Sequence, residues 1–589
     1  MDASSIPQVF FERSGRRGEK TAHMVKRDGL WQGISWQQLR STVRLIARGL
    51  LTLDLQAGDR VAILSDNRAQ WVQCDLGIMS AAGITVPVYA SSTPDQAAYI
   101  LQDAGVTALF IDTSAQLDKI MAMRTPVPSL KHLVIMVGDA PGNSDVLTLA
   151  ELIRRGRDAA GLESVLEERL QSLTPDHDAT YVYTSGTTGP PKGVVQTHGN
   201  HLFMMESCSA ITDLAEGEVN LLFLPLAHSF ARLESFLGIY QGWTTAFAES
   251  IDALARNMRE VKPVTLAGVP RVYEKVYAGV HASVARSAVK RAIFNWGVGV
   301  GLRVSRLQQM KQPLPFGLRL QRNLAYRLVF NKLRQRLGGR LRYLISGGAP
   351  LPRKIAEFFH AAGLPILEGY GMTETCPALA ANRHDRYKVG TVGSPLPGVE
   401  LRLDEDGEIL ARGPNIAKGY YRQPEATAEV FLADGWFATG DVGEIDAEGF
   451  LRITDRKKDM LLTAGGHSVA PQNLEKLLTG DPLISQAMVY GDRRPFLTAV
   501  LTLDEEAARA YARQLGISGD TIAELAADPQ IRILLEWRVQ RVNQGLAPYE
   551  TIKNFVIARE DFSEAGNELT PTLKLKRQVV TEKYRAELE

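Results

Sequence analysis

Three glycines, four small hydroxyl residues and a single lysine fill the stretch Tyr183-Thr-Ser-Gly-Thr-Thr-Gly-Pro-Pro-Lys-Gly193. Residues of this kind let backbone N–H groups close on an anion, and phosphate is the usual candidate. The spacing approaches a Walker A loop, but Lys192 follows Pro190-Pro191, and Gly193 stands where Ser or Thr would hold the metal. An ordinary P-loop NTPase is therefore disfavoured. A flexible linker is disfavoured as well, because the prolines and the lysine lie between two apolar segments. Two more strand-to-glycine turns follow, Leu341-Arg-Tyr-Leu-Ile-Ser-Gly-Gly-Ala-Pro350 and Leu364-Pro-Ile-Leu-Glu-Gly-Tyr-Gly-Met-Thr-Glu-Thr375. Glycine permits close approach to a flat ligand such as a purine, and Tyr370 offers a ring to stack on it. Closeness in sequence predicts adjacent strands feeding one crevice.

These loops need a sheet behind them. Ser35-Trp-Gln-Gln38 has the form of a capping box, and Leu39, Val43, Ile46 and Leu50 then recur at helical spacing. Strand-like runs follow at 58–64, 84–88, 106–111 and 133–137, with a helix over 71–82 and a charged helical segment over 152–174. Such alternation predicts an α/β sheet with helices on its faces. A further strand, 221–224, stops just before His228, a position where open α/β sheets bind ligands. A structural and a functional role for His228 are equally open. Hairpin patterns occupy 401–412, turning at Asp406-Gly407, and 442–454. A shorter unit follows Asp455-Arg-Lys-Lys458, with a helix over 471–478 and strands near 487–490 and 496–503.

Composition narrows the classes. The chain has 589 residues, 45% hydrophobic and 23% charged, which fits an ordinary globular protein of more than one domain. Cys74, Cys208 and Cys376 are far apart and form no CxxC pattern, against a disulfide scaffold or a cysteine zinc site. The cysteine usage fits a reducing cytoplasm, the first residues show no secretory signal, and no stretch approaches 18 uninterrupted apolar residues, so a membrane span is not expected. Over 281–342 the chain carries many Arg and Lys and no Asp or Glu, with apolar residues interleaved at helical intervals. Two readings stand: attraction to an anionic membrane surface, or a solvated helical face. No nucleic-acid motif accompanies the charge.

Taken in order, these motifs resemble those of the adenylate-forming (AMP-binding) superfamily of acyl-CoA synthetases, luciferases and peptide-synthetase adenylation domains. Within it the chain is most similar to bacterial long-chain fatty-acyl-CoA ligases. The resemblance implies a large N-terminal α/β domain with layered mixed sheets and a β-subdomain over residues 1–457. A small mobile α+β lid would follow over 458–589, hinged at Lys458. Thr184, Ser185, Gly186, Thr187, Thr188, Gly189 and Lys192 would cradle the β- and γ-phosphates of ATP. Gly347, Gly348, Ala349, Glu368, Gly369, Tyr370, Gly371 and Met372 would surround the adenine. Thr373 would contact the α-phosphate, and Glu374 would hold Mg²⁺. Asp441 would bind the ribose hydroxyls with Arg456 assisting, and Lys574 would be the lid's catalytic lysine. His228, Arg232 and Gly347 would border the acyl pocket, where Arg232 either pairs elsewhere or narrows the tunnel mouth.

The implied reaction activates a carboxylic acid with ATP to an acyl-adenylate and pyrophosphate, then passes the acyl group to coenzyme A. No enzyme nucleophile is required, so Cys376 reads as a small buried thiol. Departures from the family pattern are Ala438 for histidine, His467 for lysine and Leu573 for glycine. They leave the acid and the balance of the half-reactions open. The alternatives are a carrier-protein acceptor, an enzyme of one half-reaction, a bulky or aryl acid, or a non-catalytic nucleotide binder. Nucleic acid is not an expected partner; a peripheral contact with the inner membrane face through 281–342 and a homodimer are.

Overall fold

Ser35 accepts the backbone N–H of Gln38 while Gln38 returns a bond to the Ser35 backbone, so the expected capping box starts the helix Trp36–Leu51. Leu39, Val43, Ile46 and Leu50 are fully buried on its inner face. Each contributes about 1.5–3 kcal/mol through burial. Thr93 and Thr197 begin the helices Pro94–Ala104 and His198–Ser209 with the same reciprocal device.

The computed structural model describes residues 3–588 except 124, 141–144, 185–189, 286, 465–466, 518, 520 and 571–573. The chain divides into two units. One comprises 1–351, 355–401 and 411–437; the other comprises 352–354, 402–410 and 438–589.

The first unit holds two large mixed sheets. One runs, in spatial order, Gly419–Tyr420, Lys192–Thr197, Asp178–Thr184, Ile84–Val88, Arg60–Leu64, Val106–Ile111, His132–Ile135 and Val146–Thr148. Its strands from Asp178–Thr184 onward are parallel, and Lys192–Thr197 joins antiparallel. The other sheet orders Ser394–Pro395, Ala380–Ala381, Ile366–Tyr370, Tyr343–Ser346, Thr265–Gly268, Val219–Leu222, Thr244–Phe247, Thr21–Arg27 and Leu30–Ser35. Helices cover the sheets, as parallel pairing with both faces buried requires. The layered mixed-sheet α/β architecture expected from the sequence is the one found.

The second unit pairs its 402–410 segment in a four-stranded sheet with Phe437–Ile445 and Leu451–Arg456. Gly407 turns the expected hairpin at a positive φ of 82°. A three-stranded sheet, Ile484–Tyr490, Leu497–Leu503 and Ile552–Ile557, packs with the helices Pro471–Thr479 and Pro529–Asn543 around a separate core. Among the described residues no helix is long and apolar enough to cross a membrane.

Candidate active site

The glycine-rich stretch joins two antiparallel strands. Thr184 pairs with Lys192 and Tyr183 with Gly193, so Asp178–Thr184 and Lys192–Thr197 are neighbouring antiparallel strands. The β-branched pair Val194-Val195 continues as strand, whereas a Walker A loop is followed by a helix. Gly193 has a steric reason as well. A Cβ there would lie 3.0 Å from the Tyr183 ring, and that ring is fixed by a 2.5 Å bond from its hydroxyl to Asp103. Ser185, Gly186, Thr187, Thr188 and Gly189 lie outside the described residues.

Lys192 opens the second strand, and its ammonium stands 4.9 Å from the centre of the Tyr420 ring. The Tyr420 hydroxyl donates to Oε1 of Glu374 at 2.8 Å. One lysine, one tyrosine and one carboxylate from three distant parts of the sequence thus meet at the edge of the eight-stranded sheet. Tyr420 reaches this place on the short strand Gly419–Tyr420, which pairs with Val194 and Val195. Burial first, then the charge of Glu374, raise the Tyr420 phenol well above its ordinary pKa, so it stays a donor.

Glu374 lies in the turn Thr373–Thr375 beyond the strand Ile366–Tyr370 and is buried. Its backbone carbonyl accepts from Ala417 N–H, and the Thr373 carbonyl accepts from Gln196 Nε2 at 2.7 Å. Asn415 Nδ2 donates to the carbonyls of Thr375 and Ala378, stitching the same turn to the 413–420 loop. Met372 and Gly371 precede it, and a Cβ on Gly371 would fall 2.1 Å from the Pro377 carbonyl, too close for any other residue. Cys376 is fully buried and its thiol is pushed far up by burial and then by Glu374, as expected of an inert thiol.

The two glycine turns do leave adjacent parallel strands: Leu344 pairs with Ile366 and Ser346 with Glu368. Gly347, Gly348 and Ala349 follow the first strand, while Glu368, Gly369 and Tyr370 end the second. Gly348 has φ +81°, and a Cβ on Gly347 would stand 3.3 Å from the Phe230 ring. Phe230 therefore lies against the turn on the side where the acid was expected.

His228 and Arg232 flank Phe230 but face other tasks. The His228 ring Nδ1 accepts the Phe230 backbone N–H at 3.1 Å, capping the helix Ser229–Gln241. Arg232 is 1% exposed and forms a two-pronged ion pair with Asp75, 3.0 Å from Nε and 2.5 Å from Nη2. Of the two alternatives for Arg232, pairing elsewhere is the one the structure shows.

In the second unit, Asp441 and Arg456 face each other across paired strands, with Arg456 Nε 3.1 Å from the Asp441 carboxylate. Lys457 is tied to Asp406 at 2.5 Å and to Glu408 at 2.7 Å, and Lys458 follows on an exposed turn. Lys458 also borders a cavity of about 250 Å³ with Asp459, Tyr490 and Arg577. Lys574 is tied to Thr570: its N–H donates to Thr570 Oγ1 at 3.0 Å and its carbonyl accepts from Thr570 N–H at 2.8 Å. The neighbouring Lys576 ammonium is held by Asn567 at 2.6 Å.

Sequence reasoning missed Tyr420, Gln196, Asn415 and Phe230. The available signal for Tyr420 was Gly413-Pro-Asn-Ile-Ala-Lys-Gly419, a small-residue turn running into paired tyrosines.

Comparison with known proteins identifies the family. The AMP-binding enzyme family matches residues 10–421, and the AMP-binding enzyme C-terminal domain matches 458–589. The long-chain-fatty-acid–CoA ligase FadD15 of Mycobacterium tuberculosis is 39% identical over 99% of this chain and 96% of its own length. The human long-chain-fatty-acid–CoA ligase ACSBG1 is 33% identical over 99% of this chain and 84% of its own. Among solved structures, the anthranilate CoA ligase AuaEII with anthranoyl-AMP has a TM-score of 0.75 at 20% identity, covering 99% of this chain and 98% of its own. With matches that run nearly end to end, the chain belongs to the AMP-binding enzyme family.

Proposed function

We propose that this chain is an ATP-dependent, AMP-forming acid:CoA ligase acting on a medium- or long-chain fatty acid. The observation that carries the reading is the meeting of Lys192, Tyr420 and Glu374 beside two strand-ending glycine turns. The full-length likeness to long-chain-fatty-acid–CoA ligases supports the choice of acid.

In the first step a carboxylate oxygen bonds to the α-phosphorus of ATP while the α–β phosphoanhydride bond breaks and pyrophosphate leaves. Two anions are forced together, so fixed positive charge and N–H donors are what catalysis requires. Lys192 and Thr184 with the loop Ser185–Gly189 bind the departing phosphates, and Thr373 holds the α-phosphate. Gly347, Gly348, Ala349 and Glu368 to Met372 form the adenine site. Asp441 accepts from the ribose hydroxyls, with Arg456 fixing its orientation. Glu374 fits a Mg²⁺ site, because that ion takes one or two carboxylates together with substrate phosphates and water. Held there by Glu374, the ion would supply positive charge to the phosphate oxygens. Lys574, carried on a lid of residues 458–589 that turns at Lys458, serves adenylation. In the second step the CoA thiolate attacks the acyl carbonyl, the bond to the phosphate oxygen breaks, and AMP leaves. Phe230 and Gly347 border the acid, with His228 capping the helix that presents Phe230. The setting is cytoplasmic, with segment 281–342 at the membrane surface; a homodimer is compatible with this reading.

The test is acid-dependent pyrophosphate exchange across a chain-length series, followed by AMP release with and without CoA. Acid-dependent exchange with CoA-dependent thioester release is expected. Exchange without thioester would redirect the reading to a single half-reaction or to a carrier-protein acceptor, and no exchange with any acid would leave only nucleotide binding.

A further inference from the structure

A polar row crosses the nine-stranded sheet beneath the helix Ser229–Gln241. Thr245, Asn220 and Thr265 stand opposite one another on neighbouring parallel strands, so their side chains leave the same face, and all three are buried. The helix lies on that face: Glu234 accepts from Asn220 Nδ2 at 2.9 Å, and a Cβ on Gly238 would stand 2.9 Å from Thr245 Oγ1. Two residues further along the strands the same face is apolar, with Leu222, Ala267 and Ile345. Next on this face comes Gly347, against which Phe230 is packed. Phe230 and Glu234 are four residues apart on the helix, so they share its inner side about 6 Å apart along the axis.

The row is short of partners. Among the described residues Oε2 of Glu234, Oδ1 of Asn220 and Oγ1 of Thr265 are buried without a hydrogen bond. Buried polar atoms are almost always bonded, and an unpaired one retains the full cost of leaving water. Methionine, leucine and valine would fill the same three volumes without that cost, so the polar choice calls for a partner. The chemistry of that partner can be read from the atoms. Burial raises the Glu234 carboxyl to about 8, so at neutral pH Oε2 carries a proton to donate, while Asn220 Oδ1 only accepts. A hydroxyl group both accepts and donates, and it fits between them. A methylene can do neither, and a carboxylate has no proton to give Asn220.

We propose that this row is a polar subsite of the acyl pocket, and that the acid carries a hydroxyl group partway along its chain, received by Glu234, Asn220 and Thr265. The path follows the face of the sheet. The carboxylate end lies at Gly347 and Phe230, the first methylenes pass Ile345, Ala267 and Leu222, and the hydroxyl meets the polar row one helical turn beyond Phe230. The inference rests on the ligase reading and narrows its substrate from fatty acids in general to hydroxylated ones. A site built to bond a hydroxyl discriminates strongly, because an acid that lacks it leaves buried polar groups unpaired. Ordered water is the competing occupant. A substrate hydroxyl that takes the place of such a water keeps its bonds, whereas a methylene loses them.

The experiment compares unsubstituted fatty acids with monohydroxy acids of the same length, the hydroxyl being moved along the chain. Two quantities are read on the full chain: kcat/KM for thioester formation, and the Kd of the matching acyl-sulfamoyl adenosines, which mimic the acyl-adenylate and need no turnover. One mid-chain hydroxyl position is expected to be preferred by at least about tenfold in both. Glu234→Met with Asn220→Leu removes both partners together, a change that is close to neutral for folding, and is expected to reverse the preference. Glu234→Gln still donates and is expected to keep it. Thr265→Val, nearly isosteric, is expected to lower it by about two- to tenfold, so the proposal stays testable even if the double variant does not fold. Thioester formation with equal kcat/KM at every hydroxyl position would leave the ligase reading standing and overturn this one, assigning the row to ordered water. A preference that survives in the double variant would overturn it as well. No turnover of any acid, with no binding of either kind of adenylate analogue, would remove the ligase reading and this inference with it.

Discussion

Replacing Tyr420 by phenylalanine removes one hydroxyl and leaves almost everything else in place. The ring still packs against Phe431 at 5.8 Å and still lies under the Lys192 ammonium, and the backbone still pairs with Val194. What disappears is the 2.8 Å bond to Glu374, whose carboxylate is only 7% exposed and has little water to take the donor's place. A hydrogen bond to a charged group contributes about 1.5–3 kcal/mol, and each 1.4 kcal/mol is tenfold, so adenylation is expected to slow by about 10- to 150-fold. Tyr420→Leu also removes the ring beneath Lys192, a cation–π contact of about 0.5–2 kcal/mol, and is expected to be slower still by a few-fold or more. The assay is acid-dependent pyrophosphate exchange over a range of Mg²⁺ and ATP, alongside thioester formation from supplied acyl-adenylate. Loss is expected in the first and near-normal rates in the second. A phenylalanine variant within twofold of wild type, or equal losses in both half-reactions, would refute the assignment of Tyr420 and Glu374 to the phosphate end of the site.

Asp75→Ala leaves the Arg232 guanidinium buried without its carboxylate and is expected to cost about 3–5 kcal/mol, seen as a lower urea midpoint, while the pair Asp75→Leu with Arg232→Met recovers most of it. If the single variant unfolds like wild type, the ion pair has no structural role. Glu234 is buried, accepts from Asn220 Nδ2 at 2.9 Å, and burial raises its carboxyl to about 8. The folded state therefore holds a proton that the unfolded state has released. Stability from this group is present below the ordinary glutamate range and falls as pH rises toward 8, with a slope approaching about 1.4 kcal/mol per pH unit. Glu234→Gln is expected to flatten that dependence and to melt higher than wild type at pH 8; unchanged pH profiles would show that Glu234 is ionised in the fold. Lys574→Ala is expected to slow adenylation by roughly 10²–10³ while sparing thioester formation from supplied adenylate, by analogy with losing one transition-state donor. Equal loss in both would remove Lys574 from the first step.

Much of the architecture was legible because it is local. The capping box at Ser35, the period of Leu39, Val43, Ile46 and Leu50, and the β-branched runs at 84–88 and 106–111 each specify an element through side chains that lie close in sequence. The parallel neighbours Tyr343–Ser346 and Ile366–Tyr370 were legible for a related reason, since a short crossover brings sequential strands together. The strand after the glycine-rich loop was not. Lys192–Thr197 is held by pairing with Asp178–Thr184 on one side and Gly419–Tyr420 on the other, and the second partner lies far away in the sequence.

The sequence by itself determined the α/β class, the inert burial of Cys376, the acid-free basic stretch and the chemistry of the loops, because residue type fixes hydrogen-bonding capacity and charge. Tertiary structure alone decided that Tyr420 bridges Lys192 and Glu374, that Arg232 is spent on Asp75, and that in the basic stretch Phe294, Val300 and Val304 are buried while Phe316, Leu320 and Leu324 are exposed. Each of these depends on a contact between residues distant in the chain, and only the packing of sheets and helices sets which distant residues meet.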